Sequence, residues 1–249
     1  MADTKIYFAS DQHFGAPTPE LSFPREQKFV AWLDEIKKDA TALFLLGDLF
    51  DFWFEYKTVV PKGFVRVLGK LAEIRDSGIP VYFFVGNHDL WMSDYFEKEL
   101  NIPVYHTTKE FTFNDKHFLI GHGDGLGPGD KGYKRMKKVF TNPFSKWLFR
   151  WLHPDLGVKL AQHLSVKNKL ISGAEDVRFL GEDNEWLVQY SKRKLETKHY
   201  DYFVFGHRHL PMTIKVGENA TYINLGDWFG YFTYGVFDGT TFELKEYKS

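Results

Sequence analysis

Leu43-Phe44-Leu45-Leu46 runs without a break into Gly47-Asp48-Leu49-Phe50-Asp51, and the same construction recurs four more times along the 249 residues. Ile6–Ala9 leads to Asp11-Gln12-His13, and Val81–Val85 to Gly86-Asn87-His88-Asp89. Phe118–Ile120 leads to Gly121-His122-Gly123-Asp124, and Tyr202–Phe205 to Gly206-His207-Arg208-His209. A short apolar run of β type that stops at a tight turn presents the Asp, Asn or His of that turn at one edge of a sheet. In open α/β sheets that carboxyl edge is where ligands bind. Five such edges offering only oxygen and nitrogen donors predict a dinuclear site for hard or borderline divalent metals.

Between these runs the apolar spacing changes. Phe29, Val30, Leu33 and Ile36 follow helical periodicity, with Pro24 placed to open that helix. Phe64, Val65, Leu68, Leu71, Ala72 and Ile74 repeat the pattern until Asp76-Ser77-Gly78 stops it. The first half therefore reads βαβαβ, a largely parallel sheet. Phe111–Phe113 and His117–Ile120 read as a hairpin about Asn114-Asp115-Lys116. Met212–Val216, Ala220–Asn224, Thr233–Phe237 and Thr241–Glu246 read as a C-terminal meander. Two mixed sheets with helices outside are expected, in one domain spanning residues 1–249.

Composition narrows the function classes. With 43% hydrophobic and 26% charged residues the chain can bury a full core. It has no Cys, which excludes disulfides, Fe–S clusters and thiolate zinc sites and fits a reducing cytosol. Met1–Lys5 lacks a signal-peptide core, and no apolar run approaches the ~18 residues of a transmembrane span, so a cytoplasmic protein is expected. A net charge of -1 gives no general attraction to nucleic acid. The 25 Phe are an excess that the fold must place.

The stretch 129–200 reads helical and interrupts the strand pattern. Between Lys131 and Lys169 ten basic residues face a single acid, Asp155, a local balance of +9. Tyr133, Met136, Phe140, Phe144, Trp147, Leu148 and Trp151 are interleaved three or four apart, with Pro143 splitting the stripe into two helices. Such a segment either lies at an anionic membrane surface or caps the domain with its stripe packed and its lysines solvated.

Taken together, the five donor clusters make the chain resemble the calcineurin-like metallophosphoesterases over essentially its full length. That resemblance implies a four-layer α/β/β/α sandwich with a helical insertion (lid). It also implies that Asp11, His13 and His209 hold a first metal, Asn87, His122 and His207 a second, and that Asp48 bridges them. Two ions about 3.5–4 Å apart lower the pKa of a water between them and clamp the oxygens of a phosphate under attack. The donor set suits Mn²⁺, Fe²⁺ or Zn²⁺ better than Ca²⁺, and the resemblance favours Mn²⁺. It further implies that His88 contacts the phosphoryl oxygen or protonates the leaving group, with Asp89 orienting its ring. Asp51 is either an acceptor behind a ligand His or a helix N-cap.

A narrower resemblance is to the UDP-2,3-diacylglucosamine pyrophosphatases of lipid A synthesis. It is carried by Gly47-Asp48-Leu49-Phe50-Asp51-Phe52-Trp53, by His122-Gly123-Asp124-Gly125-Leu126 with Asp130 and Tyr133, and by Leu225-Gly226-Asp227-Trp228. It implies cleavage of a lipid-linked UDP-sugar to UMP and 2,3-diacylglucosamine 1-phosphate at the inner face of the cytoplasmic membrane, with the protein held there peripherally. Asp130 and Tyr133 would contact the glucosamine phosphate, with Ser165, Asn168 and Lys169 on the next helix as further candidates. Trp53 and Phe52 would line an apolar wall, or else belong to the core. One position departs from that family's best-studied branch, which has Arg where this chain has His88. Arg can only stabilise charge, whereas His can also transfer a proton and so reaches esters with poorer leaving groups. The alternative is a soluble metal-dependent phosphodiesterase or nucleotidase of the same superfamily, which would not need a basic aromatic insertion. A non-catalytic scaffold would be expected to lose ligands, and here the set is complete.

Overall fold

A computed structural model describes residues 4–127, 131–160 and 178–248. The first sheet has the order β11-β10-β1-β2-β3-β4. It contains β1 (Ile6–Ala9), β2 (Ala42–Leu45), β3 (Val81–Phe84) and β4 (Val104–Tyr105) in parallel, then β10 (Thr233–Phe237) and β11 (Phe242–Glu246) antiparallel at one edge. The second sheet has the order β5-β6-β7-β9-β8. Here β6 (Lys116–Ile120), β7 (Tyr202–Phe205) and β9 (Ala220–Leu225) are parallel, flanked by β5 (Lys109–Phe113) and β8 (Pro211–Gly217).

Three apolar layers explain the expected α/β/β/α order. On β1, Tyr7 and Ala9 face the helices α1 (Pro19–Ile36) and α2 (Val65–Asp76), joining Phe29, Trp32, Leu33, Val67 and Leu71. Ile6 and Phe8 point the other way, because strand side chains alternate with a period of two. They meet Phe44, Phe84, Phe118, Ile120, Val204 and Ile223 between the sheets. The outer face of the second sheet buries Leu119, Phe203, Phe205 and Tyr222 against Leu187 and Val188 of a later helix, α6 (Trp186–Leu195). The central layer absorbs much of the phenylalanine excess: Phe8 lies 5.1 Å from Phe44 and 6.4 Å from Phe118, ring centre to ring centre. Strands buried on both faces read as continuous apolar runs, which is why β1 and β2 lack alternation.

Two expectations change. Pro24 lies inside α1, because Thr18 caps the helix and Pro19 already occupies its first turn. The four C-terminal strands form two hairpins, β8–β9 in the second sheet and β10–β11 in the first. Ile223 and Leu225 of β9 and Phe237 of β10 enter the central core from opposite sheets, so the chain crosses the sandwich at 226–232. A single meander could not bury both.

The short helix α3 (Tyr95–Leu100) precedes β4. Beyond the second sheet's hairpin, α4 (Lys131–Thr141) and α5 (Pro143–Arg150) are the two helices expected from Pro143. Asn142 caps α5 by accepting from Phe144 N at 2.8 Å. Residues 154–160 are also helical. The pair docks through Phe149, whose ring is 4.6 Å from both Phe54 and Trp91, and through Trp91 Nε1, which donates to the Phe140 carbonyl at 2.6 Å. Three aromatics of the stripe are not packed on the domain: Phe144 is 64%, Trp147 51% and Trp151 75% exposed. Asp130, Ser165, Asn168 and Lys169 lie outside the described residues. Among the described residues, no helix is long and apolar enough to cross a membrane.

Candidate metal centre

The five clusters meet where the two sheets bring their strand ends together. Asp11 N donates to the Gly47 carbonyl (3.1 Å), His13 N to that of Asp48 (2.8 Å) and Gly206 N to that of His122 (2.9 Å), so the loops are laced to one another. Asp11, His13, Asp48, His207 and His209 all have positive φ, between 46° and 71°. L-residues adopt that conformation at a cost, and such residues concentrate where a site over-determines them. The closeness also demands glycine: a Cβ on Gly86 would sit 2.2 Å from Asp48 Oδ1, and one on Gly206 2.5 Å from Asp11 Oδ2.

Asp11, His13, Asp48 and His209 each offer one ligand atom, all within 4.8 Å of one another. A second group forms beside it. Asn87 Oδ1 is 3.0 Å from His122 Nε2 and 2.9 Å from His207 Nδ1. Asp48 belongs to both, since its Oδ2 is 3.6 Å from His13 Nε2 and 3.5 Å from His122 Nε2. Its other oxygen accepts from the His88 backbone at 2.8 Å.

The residues behind these donors decide which atoms face inward. His122 Nδ1 lies 2.7 Å from the Leu46 carbonyl, which can only accept, so Nδ1 carries a proton and Nε2 is the nitrogen turned toward the Asn87 oxygen. His209 Nδ1 faces Asp227 Oδ2 at 3.4 Å, and His13 Nδ1 faces Asp51 Oδ1 at 3.4 Å. Their Nε2 atoms then oppose each other at 3.2 Å. Lone pairs this close repel unless a proton or a cation lies between them. Asp11 Oδ1, fully buried, accepts no hydrogen bond from the described residues. An all-N,O donor set of this kind fits divalent cations.

The electrostatics agree. Burial alone would push His122 down, but the charge of Asp48, their hydrogen bond and the charge of Asp11 raise it to about 10. Burial, with His122 next to it, lowers His207 to about 3. Burial would raise Asp48, yet the surrounding histidines hold it well below the usual carboxylate range. Asp11 is raised by burial. A bound cation replaces these shared protons and inverts the local preferences.

The acid behind His88 differs from the expected one. Asp89 is fully buried, and its carboxylate closes the turn by accepting from Gly86 N (2.6 Å) and Leu49 N (3.1 Å). Burial, then the charge of Asp48, raises it to about 8. The ring of His88 is instead steadied by Asp51, whose carbonyl is 3.0 Å and Oδ1 3.6 Å from His88 Nδ1. Asp51 thus backs both His13 and His88 and caps no helix. Trp53 is also corrected: it is buried against Phe50 at 4.4 Å and donates to Glu55, so it belongs to the core and not to a cleft wall. Phe52 is half-buried against Trp91 and Phe149. Tyr133 donates its hydroxyl to Asp124, two residues after His122.

Sequence reading gave no role to three supporting residues, although it quoted two of them, Asp227 and Arg208, within motifs. Asp227 accepts from the backbones of Phe229, Gly230 and Tyr231, which aims it at His209. It follows β9 as a sixth apolar run ending in Gly-Asp, so the rule applied to the other five places it beside them. Arg25 on α1 donates to the carbonyls of His13 (2.7 Å) and Ala16 (2.6 Å) and holds the first loop. Arg208 is buried with Glu185. Nothing local in the sequence marks these last two.

The model of the family described as calcineurin-like phosphoesterase matches residues 4–211. A protein from Porphyromonas gingivalis named UDP-2,3-diacylglucosamine hydrolase is 37% identical, the match covering 97% of each chain. One of the same name from Actinobacillus succinogenes is 26% identical over 90% of this chain and 92% of that one. Among solved structures, Yfce, a phosphoesterase from E. coli, superposes with a TM-score of 0.49 at 17% identity, covering 98% of this chain and 93% of that one.

Proposed function

Because the chain belongs to the calcineurin-like phosphoesterase family, whose members matched here include UDP-2,3-diacylglucosamine hydrolases, we propose that this metal-dependent hydrolase cleaves the pyrophosphate of UDP-2,3-diacylglucosamine to UMP and 2,3-diacylglucosamine 1-phosphate in lipid A synthesis. The observation that carries the reading is Asp48 Oδ2, shared at 3.6 and 3.5 Å between the two donor sets. Asp11, His13 and His209 would hold one ion, Asn87, His122 and His207 the other, and Asp48 would serve both, with Mn²⁺ the ion favoured. When bound, the pair of ions activates water and neutralises phosphate oxygens. The chain's own part is to hold these donors rigidly and to bring His88, steadied by Asp51, to the phosphoryl group. By the same resemblance Asp130 and Tyr133 would contact the glucosamine phosphate, with Ser165, Asn168 and Lys169 as further candidates.

Hydrolysis of UDP-2,3-diacylglucosamine in ¹⁸O-water with Mn²⁺ should place the label in UMP and leave the lipid phosphate unlabelled, as attack at the uridine-side phosphorus requires. Label in the sugar phosphate would reverse the orientation of the substrate. Absence of cleavage, with Mn²⁺-dependent hydrolysis of soluble phosphodiesters, would make the chain a soluble phosphodiesterase.

The expected insertion 129–200 is shorter than read, since α6 packs on the second sheet and belongs to the domain; its described helices α4 and α5 form the lid of this site and hold the enzyme peripherally on an anionic membrane. The exposed ridge of α5 supports that reading, with Phe144 and Trp147 5.7 Å apart and Trp147 and Trp151 6.0 Å apart. Two lysines of the basic stretch have partners at the insertion's root: Lys137 pairs with Asp124 and Lys134 bonds the Gly127 carbonyl. Among the described residues the exposed cations of this stretch are Arg135, Lys138, Arg150 and Lys159. Wild-type protein should therefore sediment with phosphatidylglycerol vesicles, less so as salt rises, at on the order of 1 kcal/mol per cation. Trp147→Ala with Trp151→Ala should weaken sedimentation and raise KM for the lipid substrate while sparing soluble phosphodiesters. Absence of vesicle binding by the wild type would remove the membrane role.

A further inference from the structure

The loop that carries His207 and His209 has an unusual residue between them. Arg208 is 3% exposed and Glu185 is fully buried. They pair through two hydrogen bonds, Nε to Oε2 and Nη2 to Oε1, both 3.0 Å. Arg208 Nη2 also donates to the Arg178 carbonyl at 2.8 Å, and Glu185 Oε1 accepts from Leu180 N at 3.1 Å. Glu185 is the residue that caps α6, and the segment 178–185 brings the chain back from the helical insertion to the domain. A forked, fully desolvated pair of this kind is geometrically specific.

We propose that Arg208 is a positioning residue for the metal centre, tethering the His207–His209 loop to the returning limb of the insertion through Glu185. The inference rests on the reading of these two histidines as metal ligands. The loop needs such a tether: His207 and His209 both have positive φ, 71° and 50°, and that conformation persists only where the surroundings impose it. Other bonds hold the two flanks. His207 N donates to Asp11 Oδ2 at 2.9 Å, and His209 Nδ1 faces Asp227. Arg208 lies between those points, directed away from the donors and into the insertion's root. The outgoing limb is tied in a matching way, since Asp124, two residues beyond His122, accepts from Lys137 and Tyr133. Both limbs therefore reach within two residues of a ligand of the same metal. By linkage, whatever seats the insertion favours the metal, and metal occupancy seats the insertion.

The test separates positioning from mere stability. Replacing one partner strands a buried charge, whereas an apolar pair of similar volume restores stability without restoring the fork. The metal-stripped full chain is titrated with Mn²⁺, free ion being read by its electron paramagnetic resonance signal, and thermal midpoints are recorded in parallel. Arg208→Met alone should lower both the midpoint and Mn²⁺ affinity. The double variant Arg208→Met with Glu185→Met should regain the wild-type midpoint yet keep the weaker Mn²⁺ site about 10- to 100-fold down. Recovery of both would overturn the proposal and leave the pair a stability element. Should the double variant not fold, Arg208→Lys decides, because it retains the charge and loses the fork; wild-type Mn²⁺ affinity there also overturns the tether. Wild-type protein that binds no Mn²⁺ would instead overturn the metal reading itself, which is a separate result.

Discussion

Asp48→Ala is expected to abolish metal-dependent hydrolysis while leaving the fold intact. One side chain here serves three ends. Its Oδ2 belongs to both donor sets, at 3.6 Å from His13 Nε2 and 3.5 Å from His122 Nε2, and its Oδ1 holds the His88 backbone at 2.8 Å. Removing it takes an oxygen from each set at once and frees the turn that presents His88. The core is not at risk, because the apolar clusters on either side of the first sheet close without it. Asp48→Asn separates charge from shape: the amide can still accept from the His88 N–H, but it lacks the negative charge that balances the surrounding histidines. It should lose activity nearly as fully. Elemental analysis of Mn²⁺ beside the turnover rate checks both variants. Strong Mn²⁺-dependent turnover in a folded Asp48→Ala protein would take Asp48 out of the shared position.

His88→Ala should lower turnover by roughly 10²–10⁴-fold with metal content nearly unchanged, as expected of a group that acts on the reacting phosphate and not on the ions. The Asp51 carbonyl, 3.0 Å from Nδ1, can only accept, so it fixes the tautomer that carries the proton there. A rival outcome is built into the geometry. His88, His13 and Asp51 also bring one ligand atom each to within 4.8 Å of one another. If one metal equivalent disappears with the His88 ring, that trio is a ligand set and the assignment of His88 to the phosphate is wrong.

The donor clusters were legible because each is a local event. An apolar run ends, a glycine or tight turn follows, and the next polar side chain must leave the strand at its carboxyl end. The helix breaks were legible for the same reason: Gly78 and Pro143 act on the backbone where they stand. What stands behind a donor is decided elsewhere. Asp89 is adjacent to His88 in sequence, yet its carboxylate is taken by Gly86 N and Leu49 N, and the ring is steadied by Asp51, which lies 37 residues earlier. Trp53 reads as readily for a cleft as for a core, and only the packing of Phe50, Tyr95 and Phe96 around it puts it in the core.

By itself the sequence determined the βαβαβ succession of the first half, the presence of two sheets with helices outside, and which residues could bind metal, since periodicity and turn chemistry act over a few residues. The tertiary structure alone decided how the C-terminal hairpins divide between two sheets. It also decided that Lys134 and Lys137 serve the insertion's root while Phe144, Trp147 and Trp151 stay exposed. The pairing of Arg208 with Glu185 is of the same kind. Each of these depends on contacts between segments far apart in the chain or on competition among several partners for one side chain, and no local pattern records which partner wins.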